Sequence, residues 1–228
     1  MTLRDALLLG RVSNLPTVWT NVLAGAVLSG AELESRALLW TCFALSLFYV
    51  AGMYLNDAFD RDFDARARPE RPIPSGRVRA STVFAAGFAM LLAAVGMLGA
   101  IGGAGAFLAG ACLAVMIAGY DLHHKANRFG PVVMGLCRAF VYFTSALALG
   151  AEIGGRVIFG AVLLASWIVG LTLFAKRGAS VASVARCIAA IALLDAILIA
   201  SQGELPLAAL AVLAFAFTRI LQRWVPAS

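Results

Sequence analysis

The chain has 228 residues, 62% of them hydrophobic and 13% charged, with a mean hydropathy of +0.91. Soluble domains carry about a quarter charged residues, so these values exclude one and indicate a polytopic protein whose solvent is lipid. The net charge of +6 does not indicate nucleic acid, because the basic residues are scattered among loops between apolar stretches, where membrane topology accounts for them.

Crossing about 30 Å of hydrocarbon takes about 20 apolar residues in a helix. That ruler predicts an all-α transmembrane bundle of about eight spans, near residues 15–31, 37–56, 80–98, 102–119, 131–150, 157–175, 183–201 and 205–222, forming one domain over residues 1–228. Arg4 and Arg11 precede the first span, which is expected to stay in place rather than be cleaved as a signal peptide. Within it Asn14 and Asn21, seven residues apart, share a face. Two uses are open to them: hydrogen bonding between helices, or contact with the polar head of a substrate.

The second span closes on the only strongly charged stretch, Asn56-Asp57-Ala58-Phe59-Asp60-Arg61-Asp62-Phe63-Asp64 and the residues up to Gly76. If the helix continues through it, Asp57, Asp60 and Asp64 fall within about 60° of arc and Asp62 points away. Carboxylates stacked on one face repel each other and ask for a cation; oxygen-only ligands suit Mg²⁺, which usually completes its shell with water and substrate phosphates. Arg66, Arg68, Arg71, Arg77 and Arg79 follow closely, and guanidinium groups are natural partners of phosphate oxygens. Acids, metal and arginines together describe a diphosphate site. Charge alone would equally fit a plain cytoplasmic loop.

Gly99 to Gly103 is an uncharged breaker where the third and fourth spans should turn. After the fourth span, Tyr120-Asp121-Leu122-His123-His124-Lys125-Ala126-Asn127-Arg128 places Asp121, His124, Lys125 and Arg128 on one helical stripe. A solvated loop is one reading. The other makes Lys125 and Arg128 phosphate partners and Asp121 a metal or hydrogen-bond ligand; two histidines alone are a weak zinc signal. Arg138, about two turns into the fifth span, is expensive in a membrane and is expected to face a partner or a wet cavity. Asp195 in the seventh span is either a functional group or a protonated side chain bonded to a neighbouring helix. Cys42, Cys112, Cys137 and Cys187 lie in apolar segments without paired spacing and read as small core residues.

Loop charge predicts orientation. If spans alternate, Arg4, Arg11, the arginines from 61 to 79, Lys125, Arg128, Lys176, Arg177, Arg219 and Arg223 fall on one side. The other side has Arg36 and Arg156, offset by Glu32, Glu34, Glu152 and Glu204. The positive-inside rule then puts both termini and the aspartate loop in the cytoplasm. The expected location is a bacterial inner (cell) membrane.

Asn56-Asp57-x-x-Asp60-x-x-x-Asp64, followed by Arg71-Pro72-Ile73-Pro74-Ser75-Gly76 at the end of the second span, resembles the first aspartate-rich motif of the UbiA family of intramembrane prenyltransferases. The Tyr120 to Arg128 loop resembles the family's Tyr-x-x-x-Lys-Arg segment with an altered order. The run from Gly130 to Arg138 resembles a shorter, EboC-like subgroup. The resemblance implies a bundle around a central cavity with its mouth at the cytoplasmic face. It implies Mg²⁺ held by Asn56, Asp57, Asp60, Asp64 and Asp121, the four aspartates carrying the catalysis. The diphosphate of an isoprenyl substrate would meet Arg68, Arg71, Lys125, Arg128 and Arg138. Asn14, Asn21, Tyr120, His124 and Tyr142 are further cavity candidates. The partners implied are the isoprenyl diphosphate, a hydrophobic acceptor, aromatic or lipid-like, and membrane lipid.

Two departures from the family matter. Its second aspartate-rich motif, after the sixth span, is missing: no acidic residue occurs between Glu152 and Asp195. Either the Asp121 loop supplies what that motif would, or the activity is altered. The chain also has room for fewer spans than the family's usual nine. A cyclase on the same scaffold, a non-catalytic isoprenoid-lipid binder and an ion-coupled transporter are the rivals; the transporter fits least, since its ion sites sit near the midplane in repeated halves.

Overall fold

A computed structural model describes residues 1–123 and 128–227. No strand occurs among them. The short helix α1 (Leu3–Leu9) opens with a capping box in which the Thr2 side chain and the Asp5 carboxylate serve each other's backbone N–H groups. The Thr2 hydroxyl holds the Asp5 carboxyl below the usual carboxylate range against the opposing effect of burial, and Arg77 adds to the lowering. A 3-10 turn (Val12–Asn14) leads into α2 (Leu15–Ser29), where Pro16 sits in the first turn, a position that needs no N–H. Gly30, with φ 70°, ends α2 in the left-handed conformation.

The long helices follow: α3 (Ser35–Phe59), the short α4 (Arg61–Ala67), α5 (Ala80–His123), α6 (Gly130–Ala148) and α7 (Gly155–Lys176). The chain ends with α8 (Val181–Ala189), α9 (Ile191–Ala200) and α10 (Leu205–Leu221). Helix α5 is bent back on itself: Gly102 and Gly103 leave helical geometry, Gly103 with φ 67°. Across that corner Gly110 lies against Leu98 and Val95. The turn expected between residues 99 and 103 is thus where the chain reverses.

Helix α2 is the central strut, buried along nearly its whole length. Val18 and Val22 join a core with Phe48, Leu55, Leu98 and Leu113 from α3 and α5. Ala24, Val27 and Leu28 join a second with Tyr142, Leu164 and Ile199 from α6, α7 and α9. Outward, Leu39, Phe43, Leu92, Leu108, Phe159 and Leu213 are exposed. So much apolar surface suits contact with lipid.

Among the described residues five helical stretches are long and apolar enough to cross a membrane: 36–59, 80–122, 130–148, 155–176 and 181–200. The expected count of eight is not reached on length alone. Helix α2 has 15 residues and α10 has 17, while the reversed α5 holds two expected spans in one element. The expected span 183–201 is α8 and α9, meeting at Ala190.

Candidate active site

One face of α3, continued by Asp60 just past its end, presents Leu45, Phe48, Tyr49, Met53 and Asn56 to a cavity of about 470 Å³. The spacing is that of a helical stripe, and the residue types change along it from apolar to oxygen-bearing. The last turns of α5 add Leu113, Ile117, Tyr120 and Asp121, running the same gradient. Helix α6 contributes Met134, Cys137, Arg138 and Val141, while Arg11 and Arg68 stand at the polar end. The volume falls within the roughly 300–1,000 Å³ of ordinary ligand sites.

The predicted helical stripe of acids survives a small break. Helix α3 ends at Phe59 and α4 starts at Arg61, yet the Asp64 N–H still bonds the Asp60 carbonyl at 2.9 Å, so the register is kept. The acids then divide. Asn56, Asp60 and Asp121 line the cavity, and the Asn56 amide donates to Asp121 at 3.3 Å. Asp57 and Asp64 stand beside it and share one arginine: Arg71 Nη1 donates to Asp57 at 3.1 Å and to Asp64 at 2.8 Å. Arg11 Nη2 also donates to Asp57, at 2.8 Å.

The other expected residues sort as follows. Arg138 lines the cavity, donates to the Thr17 hydroxyl and lies 5.8 Å from the Tyr49 ring centroid, so the intramembrane arginine faces a cavity as anticipated. Asn14 also lines it, bonding the Tyr49 hydroxyl at 3.1 Å, and Tyr120 lines it too. Asn21 and Tyr142 are not among the lining residues; both donate to Asp195, the first at 2.7 Å, from behind the wall. Arg128 is exposed, lying over the Phe129 ring at 4.9 Å, and is likewise absent from the lining. His124 and Lys125 lie outside the described residues.

Two features were not anticipated. Arg11, read only as a topological charge, lines the cavity from a left-handed backbone with φ 42°, and Tyr49 reaches the cavity beside Arg138. The signal for Arg11 was the one that marked Arg138: an arginine abutting an apolar run.

The donors suit a hard divalent cation. Asp60, Asp121 and Asn56 offer oxygens toward the cavity, and Asp64 Oδ1 is buried without a hydrogen-bond partner. Among the described residues no three acidic, histidine or cysteine side chains are grouped so as to hold a metal ion by themselves. Asn56, Asp60 and Asp121 are the oxygen groups from which Mg²⁺, which binds through one or two carboxylates and leaves its remaining positions to water and phosphate, would draw its ligands.

The sequence pattern of the UbiA prenyltransferase family matches residues 16–226. Digeranylgeranylglyceryl phosphate synthase of Sulfolobus acidocaldarius is 27% identical over 161 residues, 69% of this chain and 58% of that protein. The synthase of the same name from Methanopyrus kandleri is 39% identical over 87 residues, 37% of this chain and 32% of that protein. The chain therefore covers less than two thirds of either relative. Among solved structures, one concerned with digeranylgeranylglyceryl phosphate synthase in membranes superposes with a TM-score of 0.66 at 19% identity, covering 98% of this chain and 95% of that one. A UbiA homolog from Archaeoglobus fulgidus bound to DMAPP and Mg²⁺ superposes at 0.62 with 16% identity, covering 96% and 86%. At such identities these structures show a shared fold. The family pattern runs almost the length of a chain that has that fold, and the protein belongs to the UbiA prenyltransferase family.

Proposed function

We propose that the protein ionises an isoprenyl diphosphate and passes the prenyl group to a hydrophobic acceptor, aromatic or lipid-like, with Mg²⁺ as the cofactor. The observation that carries this reading is one cavity whose walls grade from carboxylates, an amide and arginines at one end to Leu45, Phe48 and Leu113 at the other. An isoprenyl diphosphate has that polarity. The neighbours bound to DMAPP or GPP with Mg²⁺ lend support by their shared fold.

Asn56, Asp60 and Asp121 are the residues that would hold the ion. When bound, Mg²⁺ supplies Lewis-acid neutralisation of the charge that builds on the departing diphosphate. Arg11 and Arg68 line the same end, where their guanidinium groups can meet phosphate oxygens. The C–O bond breaks with its electron pair leaving on pyrophosphate. Leu113, Ile117 and Phe48 keep water from the allylic cation until a nucleophilic atom of the acceptor takes it and gives up a proton. Asp121, which accepts from Asn56 at 3.3 Å, is the carboxylate we assign to the part of the missing second acidic motif.

Purified protein incubated with prenyl diphosphates of several lengths, with and without Mg²⁺, should release pyrophosphate only with the metal. Asp60→Ala should lower that release by about 100-fold or more. Equal release by the variant removes the acids from the chemistry. Mg²⁺-dependent binding without release would favour the second reading, a non-catalytic isoprenoid-lipid binder, to which the acid-free stretch between Glu152 and Asp195 points.

A further inference from the structure

Asp57, like Asp64, belongs to the acidic stripe without lining the cavity, and it is 6% exposed. Its Oδ1 takes two guanidinium groups from distant parts of the chain, Arg11 at 2.8 Å and Arg71 at 3.1 Å. Arg11 comes from the bend ahead of α2 and Arg71 from the segment after α4. The arginine side chains are 16% and 14% exposed, so these pairs are shielded from solvent and weakly screened.

Each tether leads to the cavity. Arg11 lines it directly, resting on Met53 Sδ at 3.4 Å. Its left-handed backbone, φ 42° and ψ 46°, is one that a residue with a side chain keeps only when its surroundings hold it. Arg71 acts through its own backbone: its N–H bonds the Arg68 carbonyl at 3.1 Å, closing the turn that carries Arg68, the second arginine of the cavity. One buried carboxylate thereby touches Arg11 directly and, together with Asp64, the Arg71 that closes the turn of Arg68, two of the three arginines lining the cavity among the described residues. Two carboxylates, Asp57 and Asp64, against two guanidiniums, Arg11 and Arg71, leave this cluster neutral. Loss of the Asp57 charge would leave Arg11 without its carboxylate and Arg71 held by Asp64 alone.

We propose that Asp57 is a positioning residue that sets Arg11 directly, and Arg68 through Arg71, for the diphosphate, and that it is not a ligand of the metal. This rests on the proposed diphosphate chemistry. The motif is thereby split between two roles, with Asn56 and Asp60 facing the ion and Asp57 facing the cations.

The test compares wild type, Asp57→Asn and Asp60→Asn in lipid nanodiscs, measuring binding of inorganic pyrophosphate by calorimetry across a Mg²⁺ titration and steady-state kinetics with a prenyl diphosphate. Asp57→Asn should weaken pyrophosphate binding and raise KM by about ten-fold, the scale of a lost charge-assisted contact, while half-saturating Mg²⁺ stays at the wild-type value. Asp60→Asn should instead raise the Mg²⁺ requirement. Asp57→Glu, which keeps the charge, should restore most of the lost affinity. A shift in Mg²⁺ requirement by Asp57→Asn matching that of Asp60→Asn overturns the assignment. So does a variant with wild-type KM and pyrophosphate affinity, whatever its melting temperature. If Asp57→Asn fails to fold, Arg71→Gln carries the test, with the same expected rise in KM at unchanged Mg²⁺ requirement; a wild-type KM there overturns the proposal equally. Wild type that binds no pyrophosphate brings down the underlying reading instead, and is told apart because the failure precedes any substitution.

Discussion

Asp195 accepts from the Thr20 hydroxyl at 2.5 Å, from Asn21 at 2.7 Å and from the Tyr142 hydroxyl, all within the buried interior. It stitches α9 to α2 and α6 and does not line the cavity. Asp195→Leu removes the shared acceptor, and at about 0.6 kcal/mol for each hydrogen bond inside a membrane protein the loss should come to about 2 kcal/mol. Asp195→Asn keeps an acceptor oxygen and should lose less. Thermal unfolding in detergent reads both, and a Leu variant melting with wild type would mean the network does not hold the helices together. The sequence leaves a functional and a structural use open for this residue, and the geometry selects the structural one. Its partners lie 174 and 53 residues away, pairings that no local spacing reveals. The aspartate stripe was legible for the opposite reason: helical periodicity places Asp57, Asp60 and Asp64 together whatever surrounds them. What periodicity withheld was the division of labour, because it depends on arginines arriving from Arg11 and Arg71.

Helix crossings in this bundle use glycine where backbones meet. A Cβ on Gly25 would lie 2.8 Å from the Tyr142 carbonyl oxygen and 2.9 Å from its Cα, so α2 and α6 touch main chain to main chain. Gly96 has nothing within 4 Å of the same position. Gly25→Ala must push two helices apart and should cost about 1–3 kcal/mol, whereas Gly96→Ala should be neutral or stabilise by up to about 1 kcal/mol through helix propensity. Melting temperatures of the two variants decide it, and equal behaviour would mean that the crossing gives way freely. The elements themselves were mostly legible, since apolar runs and glycine breakers announce α3, α6, α7 and the corner of α5. The join at Ala190 was not. Its residue has φ −64° and ψ −10°, a mild departure with neither glycine nor proline to mark it.

At the scale of the whole molecule, the expected count of eight spans is not confirmed by helix length, since five stretches among the described residues reach crossing length and one of them, 80–122, holds two expected spans. Helix α2, with 15 residues, is about 22 Å long and is enclosed by its neighbours, so it need not match the bilayer by itself. The charge pattern is more robust, because it depends only on which loops share an end. Arg77 donates to Asp5 at 3.0 Å, joining the segment after α4 to α1 at the end where the cavity has its polar mouth. Arg156 donates to Gln202 at 2.8 Å, joining the start of α7 to the end of α9 at the other. The arginine-rich end should therefore face the cytoplasm, which would bring the cavity mouth to the side where positive loops accumulate. Single cysteines placed at exposed Ser75 and exposed Glu32, in a chain freed of its own four, test this in intact cells. A membrane-impermeant maleimide should label Glu32→Cys from outside and reach Ser75→Cys only after lysis. The reverse pattern would turn the mouth outward and require the diphosphate substrate to arrive from the far side of the membrane.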